Sequence, residues 1–201
     1  MIICFIGPDG SGKTTYAKNV YHYIRSKGCT ASYHELNYGL LPRISAVLNI
    51  LRKKKKILKE PEGEMHSGVK YPPYNPIKAS LLALYWSIDY FALRISCALR
   101  PTKIFVFSRY SYDYSFLYGY RRLPSILKAL IIAVSPTPSQ TFYISRKPSA
   151  IYASKPELPI HVINETQDII ESMRSKYEII AIQVVEQSID KTVASILDYL
   201  N

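Results

Sequence analysis

Apolar and polar positions follow two repeating patterns along the chain. Short apolar or roughly alternating runs predict five strands, at Met1–Ile6, Thr30–Leu36, Ile104–Phe107, Thr141–Ile144 and Glu178–Val184. Apolar residues at helical spacing predict helices at Thr14–Lys27, Ile44–Leu58, Ile77–Leu99, Pro124–Val134, Pro148–Ser154, Val162–Tyr177 and Ile189–Leu200. Strands that alternate with helices indicate an α/β fold, a parallel sheet with helices on both faces.

The chain is long enough for one well-cored domain, and we expect residues 1–201 to form it. Two apolar stretches, Leu81–Leu99 and Ile126–Val134, have the composition of a membrane span. The first contains Asp89 and Arg94, and the second is too short and contains Lys128. Both therefore predict buried helices, and we expect no membrane span.

Residues around 52–76 look like a mobile surface insertion. The part Glu60–Pro76 is rich in Pro and Gly, and it follows a basic run, Arg52–Lys56 with Lys59. That run is a large part of the net charge of +11, which favours polyanionic partners. A solvated surface explains the run most simply. No aromatic residues are interleaved with it for base stacking, so we expect no nucleic-acid partner.

The three cysteines, Cys4, Cys29 and Cys97, are scattered and lack the C-x-x-C spacing of a metal site. Such usage is typical of reduced packing residues in an intracellular protein. The N-terminal apolar run has no basic segment before it, so we expect no signal peptide. Together these features predict a cytoplasmic protein.

The strongest motif is the stretch Gly7–Thr15, which fits the P-loop pattern G-x-x-x-x-G-K-[ST]. Glycines such as Gly7, Gly10 and Gly12 let successive backbone N–H groups turn inward toward phosphate oxygens. The helix that follows contributes its unpaired N–H groups. In this motif Lys13 supplies a cation to the β- and γ-phosphates, and Thr14 supplies a hydroxyl to Mg²⁺. The stretch therefore predicts a nucleotide phosphate site.

Several cations follow predicted strands at their carboxyl ends, where ligands bind in such sheets. Arg109 comes directly after the third strand, between Ser108 and Tyr110, and its fork suits a phosphate. Arg146 follows the fourth strand, and Lys155 lies in a Pro-flanked segment suited to a lid. Phosphoryl transfer depends on such cations, because it requires charge neutralisation more than covalent chemistry.

Candidate acids are few. Asp9 lies inside the P-loop, where an anion is costly unless it binds a cation or a ligand hydroxyl, so we assign it to the second substrate. Asp89 interrupts an apolar helix face and Asp113 lies in a Tyr-rich segment. Each could contact the acceptor, or be a satisfied core acid. No His pair or Cys/His cluster has metal-ligand spacing.

Beyond these motifs, the sequence resembles the thymidylate kinase family of nucleoside monophosphate kinases, and most closely a branch found beside surface-polysaccharide genes. The matching segments are Gly7–Thr15, Tyr85–Tyr90, Ser108–Asp113, Ile151–Pro159 and Met173–Tyr177. The resemblance spans most of the chain. The P-loop is shared by many families, so the later segments carry the resemblance.

The resemblance implies a three-layer P-loop kinase fold with a five-stranded parallel sheet and a short lid around 148–160. It implies ATP and Mg²⁺ as cofactors, a small-molecule phosphoryl acceptor as partner, and a homodimer as an option. By this resemblance, the catalytic residues are Lys13, Arg109 and Lys155. ATP is held by Gly7, Asp9, Gly10, Ser11, Gly12, Lys13, Thr14, Thr15 and Arg146, with the metal on Thr14. The acceptor faces Asp9, Asp89, Arg109, Tyr110 and Asp113.

Three departures from the family pattern concern the metal, the lid and the acceptor. The family has an Asp before the arginine, where this chain has Ser108, and its lid reads Arg-Lys, where this chain has Ser154-Lys155. An arginine on the long helix holds the acceptor phosphate in thymidylate kinases, but Ile88 and Asp89 stand near that position. These departures leave the acceptor open.

Three functions are therefore compatible with the sequence. The first is an ATP- and Mg²⁺-dependent kinase acting on a nucleoside monophosphate similar to dTMP. The second keeps the kinase chemistry with a sugar or lipid precursor as acceptor. The third is a nucleotide-binding module or weak ATPase whose basic run contacts nucleic acid.

Overall fold

The computed structural model describes residues 1–42, 73–184 and 189–200. In these ranges the chain forms a five-stranded sheet in the order β2-β3-β1-β4-β5, with every pair of neighbours parallel. The strands are β1 (Ile2–Ile6), β2 (Ala31–His34), β3 (Ile104–Phe107), β4 (Gln140–Ser145) and β5 (Ile179–Gln183). The helices are α1 (Lys13–Ser26), α2 (Pro76–Leu99), α3 (Ser125–Val134), α4 (Pro148–Ser154), α5 (Ile160–Tyr177) and α6 (Ile189–Asp198).

Helices cover both faces of the sheet, as the alternating pattern predicts. All five residues of the central strand β1 are buried, since both of its faces are covered. Ile3 and Phe5 pack with α1 and α6, whereas Cys4 and Ile6 pack on the opposite face with α2, α3 and α5. This alternation follows from the two-residue repeat of a strand. The predicted three-layer arrangement is confirmed.

The carboxyl ends of the strands carry the loops that matter for function. β1 leads into residues 7–12 and then α1, while β3 leads into Ser108, Arg109 and two short 3₁₀ turns, Ser111–Ser115 and Tyr118–Tyr120. β4 leads into Arg146 and α4. The parallel register aligns these ends, because Cys4 lies opposite Phe107 and Ile6 lies opposite Tyr143.

Element bounds agree with the predicted ones to within about two residues in most cases. One difference is the start of α2, which includes Pro76. The preceding Asn75 caps the helix by accepting a hydrogen bond from the Ile77 N–H at 2.9 Å. Pro is favoured at the first helical position, since it has no N–H to leave unpaired. The Pro-rich stretch therefore ends in a helix start.

The expectation that both long apolar stretches form buried helices is corrected. α2 has the length and mean hydropathy, 1.2, of a membrane span, yet only 28% of its most apolar window is buried. One face packs on the sheet through Ala79, Ala83, Tyr90 and Leu93, while the other exposes large apolar residues. α3 likewise buries Ile131 and exposes Ile126. When apolar residues occur on every side of a helix, the sequence does not indicate which face packs against the sheet.

The predicted helix at 44–58, the basic run and residues 52–72 of the predicted insertion lie outside the described residues. The cysteines are free, with Cys4 buried and Cys29 exposed, so Cys29 is not the packing residue expected from its sequence context.

Candidate phosphoryl-transfer site

The loop Gly7–Gly12 between β1 and α1 has backbone angles that require glycine. Gly7 has φ 149°, and a Cβ on it would lie 2.9 Å from the carbonyl oxygen of Ile144. Gly12, at the N-cap of α1, has φ 100°. Side chains rarely adopt such angles. The P-loop glycines are therefore needed for the path of this backbone.

Two features of the loop suit a phosphate group. The Ser11 hydroxyl is buried and has no hydrogen-bond partner among the described residues. The first turn of α1 has no acidic residue, and Gly12 has no side chain that could cap it. Helix N-termini of this kind bind anions through free N–H groups. The residues present therefore fit the phosphates of a nucleotide.

Lys13 lies buried within the loop. Its ammonium donates to the Pro8 carbonyl oxygen at 2.7 Å and lies 3.5 Å from Asp9 Oδ1. Burial lowers the pKa of Lys13, and the charge of Asp9 acts in the opposite direction. A phosphate would supply a second anionic partner for this cation, in addition to Asp9.

Asp9 and Arg109 form an ion pair across the mouth of the site. Burial alone would raise the pKa of Asp9, but Lys13, Arg109 and Lys155 together hold it below its ordinary value. The backbone around Arg109 is anchored to the end of β2: Ser108 N–H donates to His34 and Arg109 N–H to Glu35. Arg109 is thus held beside the P-loop, as the sequence predicts.

The segment after β4 contacts the P-loop through Gly10. Ser154 Oγ donates to the Gly10 carbonyl oxygen at 3.2 Å, and Arg146 lies 3.5 Å from the same oxygen. Lys155 pairs with Glu157 at 3.0 Å. Arg146 and Lys155 therefore lie near the loop, as predicted from the sequence. No sequence pattern pointed to Glu157 or to the contact of Ser154 with Gly10.

Thr14 and Thr15 are exposed at the start of α1. The Thr14 hydroxyl would lie within reach of a metal ion bound to the phosphates. Among the described residues, no group of three or more His, Cys, Asp or Glu is placed to hold a metal ion. Ser108, which stands where the family has an Asp, is buried and accepts a hydrogen bond from Tyr33. The fit to Mg²⁺ therefore depends on the Thr14 hydroxyl and the oxygens of the nucleotide.

A cavity of about 350 Å³ opens beside the P-loop. Gly7, Pro8, Asp9 and Arg109 form one side of it. Its other walls are mostly aromatic or apolar and include Leu36, Tyr74, Phe116, Tyr118, Tyr120 and Leu158. Such a lining suits a flat organic molecule with a few polar groups. No sequence motif marks these walls, because Tyr74 and Tyr120 are distant in sequence and meet only in the fold.

Asp113 lies in the first 3₁₀ turn and is fully buried. Its Oδ2 accepts from the Tyr110 N–H at 3.0 Å, while Oδ1 has no partner among the described residues. Burial raises the pKa of Asp113 to about 7, although the charges of Lys13 and Arg109 act to lower it. The charges of Lys13 and Arg109 therefore act on Asp113. Asp113 does not line the cavity beside the P-loop.

Asp89 and Tyr110, which the sequence assigns to the acceptor, make contacts within the fold in this conformation and do not line the cavity beside the P-loop. The buried Asp89 carboxylate accepts from the N–H groups of Gly39, Leu40 and Leu41, at 2.8 to 3.0 Å. Tyr110 is buried, and its hydroxyl donates to the Pro136 carbonyl oxygen. Its ring lines a different cavity, of about 730 Å³.

Comparison with known proteins bears on the fold. No protein-family model and no curated protein matches the sequence. The solved structure of the thymidylate kinase from Ehrlichia chaffeensis is similar to this chain, with a TM-score of 0.64 and 18% sequence identity. The similarity covers 100% of this chain and 98% of that one. At this identity the comparison establishes the fold alone, and the chain has the P-loop kinase fold of that structure.

Proposed function

We propose that this chain is an ATP- and Mg²⁺-dependent phosphotransferase of the thymidylate kinase type, acting on a nucleoside monophosphate similar to dTMP. The observation that carries the proposal is the Asp9–Arg109 ion pair. It joins the phosphate-binding loop to the adjacent cavity, since both residues line that cavity. A donor phosphate and an acceptor would therefore meet at this pair.

On the donor side, the loop Gly7–Gly12 and the N-terminus of α1 would hold the phosphates of ATP, with Arg146 beside them. The Thr14 hydroxyl would hold Mg²⁺, and the metal supplies charge neutralisation to the phosphate oxygens. Lys13 would leave the Pro8 carbonyl, which it contacts at 2.7 Å, and bind the β- and γ-phosphates.

Transfer would be direct and in line. A bond forms from an acceptor phosphate oxygen to the γ-phosphorus, and the bond from that phosphorus to the β–γ bridging oxygen breaks. ADP leaves with the electron pair. Lys13 and Arg109 contact Asp9 directly, and the charge of Lys155 also lowers the pKa of Asp9, so all three cations act on this carboxylate. Their charges would stabilise the negative charge on the transferring group.

Residues 148–160 would act as the lid. Its helix α4 already touches the P-loop at Gly10 through Ser154. Lys155 is held by Glu157 in this conformation, and both residues are about two-fifths exposed. An exposed ion pair of this kind is weak, so Lys155 could exchange Glu157 for a phosphate at little cost.

A second candidate function, a kinase for a hydroxyl-bearing sugar or lipid precursor, is favoured by one observation. Among the described residues that line the cavity, Arg109 is the single cation, and it is already paired with Asp9. A phosphate monoester would need a cation of its own, whereas a hydroxyl could donate to Asp9.

The deciding experiment measures conversion of ATP to ADP with a panel of nucleoside monophosphates, nucleosides and sugars. Turnover that depends on a nucleoside monophosphate supports the first proposal, and turnover with an unphosphorylated compound replaces it with the second. ATP hydrolysis that no acceptor stimulates would overturn both. Lys13→Ala should abolish the turnover, while Lys18→Ala, on the exposed side of the same helix, should leave it unchanged.

A further inference from the structure

A second cavity, of about 730 Å³, opens near the amino ends of β4 and β5. Its lining includes the loop that precedes β4, the last turn of α5, Arg94 of α2 and the turn Tyr110–Tyr112. The P-loop instead follows the carboxyl end of β1, which is parallel to β4. Among the described residues, none lines both this cavity and the one beside the P-loop. We call it the β4–β5 cavity.

Hydroxyl groups dominate the lining of the β4–β5 cavity. Half of its lining residues are Ser, Thr or Tyr. The loop before β4 reads Ser135-Pro136-Thr137-Pro138-Ser139, and all five residues line the cavity. Proline fixes the φ angle of the backbone, so this loop is restricted before any ligand binds. A preorganised polar loop lowers the entropy cost of binding.

Ser111 adds a polar group that has no partner. It is fully buried, and its hydroxyl has no hydrogen-bond partner among the described residues. A buried hydroxyl that is left unpaired destabilises a folded protein. Because Ser111 lines the β4–β5 cavity, an oxygen atom of a bound ligand would supply the missing partner.

Two exposed cations, Arg94 and Lys176, also line the cavity. Neither forms an ion pair within the described part of the chain. Burial raises the pKa of Tyr110, and the charge of Arg94 acts in the opposite direction, so Arg94 lies near this buried hydroxyl. Among the described lining residues, Glu178 is the single acid. The resulting positive charge favours an anionic ligand.

One wall of the cavity is aromatic. The rings of Tyr112 and Tyr177 have centroids 4.7 Å apart, and both residues line the cavity. The Lys176 ammonium lies 5.2 Å from the centroid of the Tyr177 ring. A cation therefore stands directly beside a flat surface against which a ring could pack.

We propose that the β4–β5 cavity binds a phosphate ester of a hydroxyl-rich compound, either a sugar phosphate or a nucleotide, at a site separate from the phosphoryl-transfer site. Arg94 and Lys176 would neutralise the phosphate. Ser111 and the loop 135–139 would bind the hydroxyl groups, and the Tyr112–Tyr177 wall would pack against the ring. The cavity volume is within the range of about 300 to 1,000 Å³ that is usual for small-molecule sites.

Isoleucine methyl signals in NMR spectra of the full chain can report on the two cavities separately. Ile132 and Ile180 line the β4–β5 cavity, whereas Ile151 lies beside Gly10 of the P-loop. The signal of each isoleucine is assigned from its valine variant. The probes are glucose 1-phosphate, ribose 5-phosphate and AMP, with glucose and inorganic phosphate as controls. We expect at least one ester to shift the Ile132 and Ile180 signals saturably, with a Kd below about 1 mM, and neither control to do so.

Substitutions then locate the ligand. Arg94→Gln and Lys176→Gln should each raise the Kd by about tenfold, the usual effect of losing a hydrogen bond to a charged group. Arg100→Gln provides the matched control, because Arg100 is exposed just beyond α2 and does not line the cavity. It should leave the Kd unchanged.

Ser111→Ala makes a sharper test, because two measurements should change in opposite directions. The Kd should rise by about three- to tenfold, since a hydrogen bond to the ligand is lost. The unliganded variant should be at least as stable as the wild type in urea denaturation, because the hydroxyl that it lacks was unpaired. A destabilised variant would show that the fold itself satisfies this hydroxyl, which would contradict the role of Ser111.

Three further results would overturn the proposal. The first is the absence of any shift at Ile132 and Ile180 with all three esters. The second is an equal response to inorganic phosphate or to glucose, since the cavity would then select no phosphate ester. The third is a Kd that neither Arg94→Gln nor Lys176→Gln changes, which would place the ligand elsewhere. Binding of AMP alone, or of a sugar phosphate alone, supports the proposal and identifies the ligand class. None of these outcomes tests the kinase proposal, because they report binding at residues that the cavity beside the P-loop does not share.

Discussion

Asp9 and Arg109 form an ion pair although 100 residues separate them in the sequence. Asp9 lies within the loop that follows β1, and Arg109 follows β3, the neighbour of β1 in the sheet. The parallel register brings the two strand ends together. The pair therefore arises from the topology, and it places a cation at the boundary between the phosphate loop and the adjacent cavity.

Arg109→Ala should lower kcat by about 100- to 1,000-fold, the usual cost of losing one preorganised donor to the transition state. The KM for ATP should change much less, because Lys13 and the loop N–H groups remain. The measurement is steady-state kinetics with ATP varied and the active acceptor saturating. Arg121→Ala removes an exposed arginine that pairs with Glu165 and should leave both constants unchanged. A raised KM with normal kcat would contradict the role of Arg109.

The phosphate-loop part of the candidate site could be predicted from sequence for a physical reason. A backbone that must curl around phosphate needs Gly7, Gly12 and Lys13 at fixed spacing, so the local sequence carries the information. Arg109 could be predicted because topology places every strand end at one edge of the sheet. Both inferences use short-range patterns or a general rule of the fold.

The cavity beside the loop could not be predicted in the same way. The cavity walls come from Leu36, Tyr74, Tyr120 and Leu158, which belong to four separate segments. Asp89 presents a different difficulty. An acid on an apolar helix face predicts either a ligand contact or an acceptor for backbone N–H groups, and the sequence does not distinguish the two. The three loop N–H groups that donate to Asp89 favour the structural role, and they become visible only in the fold.

Gly10→Ala should impair the lid as well as the loop. Gly10 has φ 89°, and a Cβ on it would lie 3.1 Å from Lys155 Cβ and 3.2 Å from Ser154 Oγ. Gly28 provides a matched control, since its φ is 80° and nothing lies within 4 Å of its Cβ position. Both alanine variants should lose about 1 kcal/mol of stability from backbone strain.

Only Gly10→Ala should lower kcat, by about tenfold or more, because α4 must move away from the loop. Thermal unfolding and steady-state turnover of the two variants separate strain from lid displacement. Equal turnover in the two variants would show that the contact between α4 and Gly10 is unimportant.

Asp113→Asn should make the protein more stable at alkaline pH. Burial raises the pKa of Asp113 to about 7, above its ordinary value, so between about pH 4 and 7 the folded state holds a proton that the unfolded state has released. The free energy of unfolding of the wild type therefore falls as pH rises through this window. Asparagine carries no charge and can still accept a hydrogen bond from the Tyr110 N–H. The variant therefore avoids this fall in the free energy of unfolding.

Urea denaturation at pH 5 and pH 8 measures the effect. The stability of the variant relative to the wild type should rise between pH 5 and pH 8, by no more than about 3 kcal/mol, because about two pH units separate pH 5 from the folded-state pKa of Asp113. The pKa of about 7 already includes the charges of Lys13 and Arg109, which favour the ionised acid and limit this gain. Asp168→Asn, at an exposed position of α5, should not gain stability relative to the wild type between pH 5 and pH 8. A variant that is less stable than the wild type at pH 8 would show that Lys13 depends on the ionised acid.

Asp89→Asn distinguishes a structural acid from a substrate ligand. The carboxylate accepts from the N–H groups of Gly39, Leu40 and Leu41 on its two oxygens. An asparagine keeps one oxygen and turns an NH₂ toward at least one of these donors, which leaves a partly buried N–H without an acceptor. Such a loss costs about 1 to 3 kcal/mol, and more where the lost group was charged. We therefore expect a clear fall in the free energy of unfolding, measured by urea denaturation.

The acceptor-binding role predicts a different result for the same variant. If Asp89 held the acceptor directly, Asp89→Asn would raise the KM for the acceptor and leave the free energy of unfolding near that of the wild type. The structural role predicts the loss of stability first, and ATP affinity unchanged, because Lys13 and the loop Gly7–Gly12 do not contact this carboxylate. Asp190→Asn, at an exposed position of α6, serves as the control for removing a carboxylate charge. Normal stability with a raised acceptor KM would return Asp89 to the binding site.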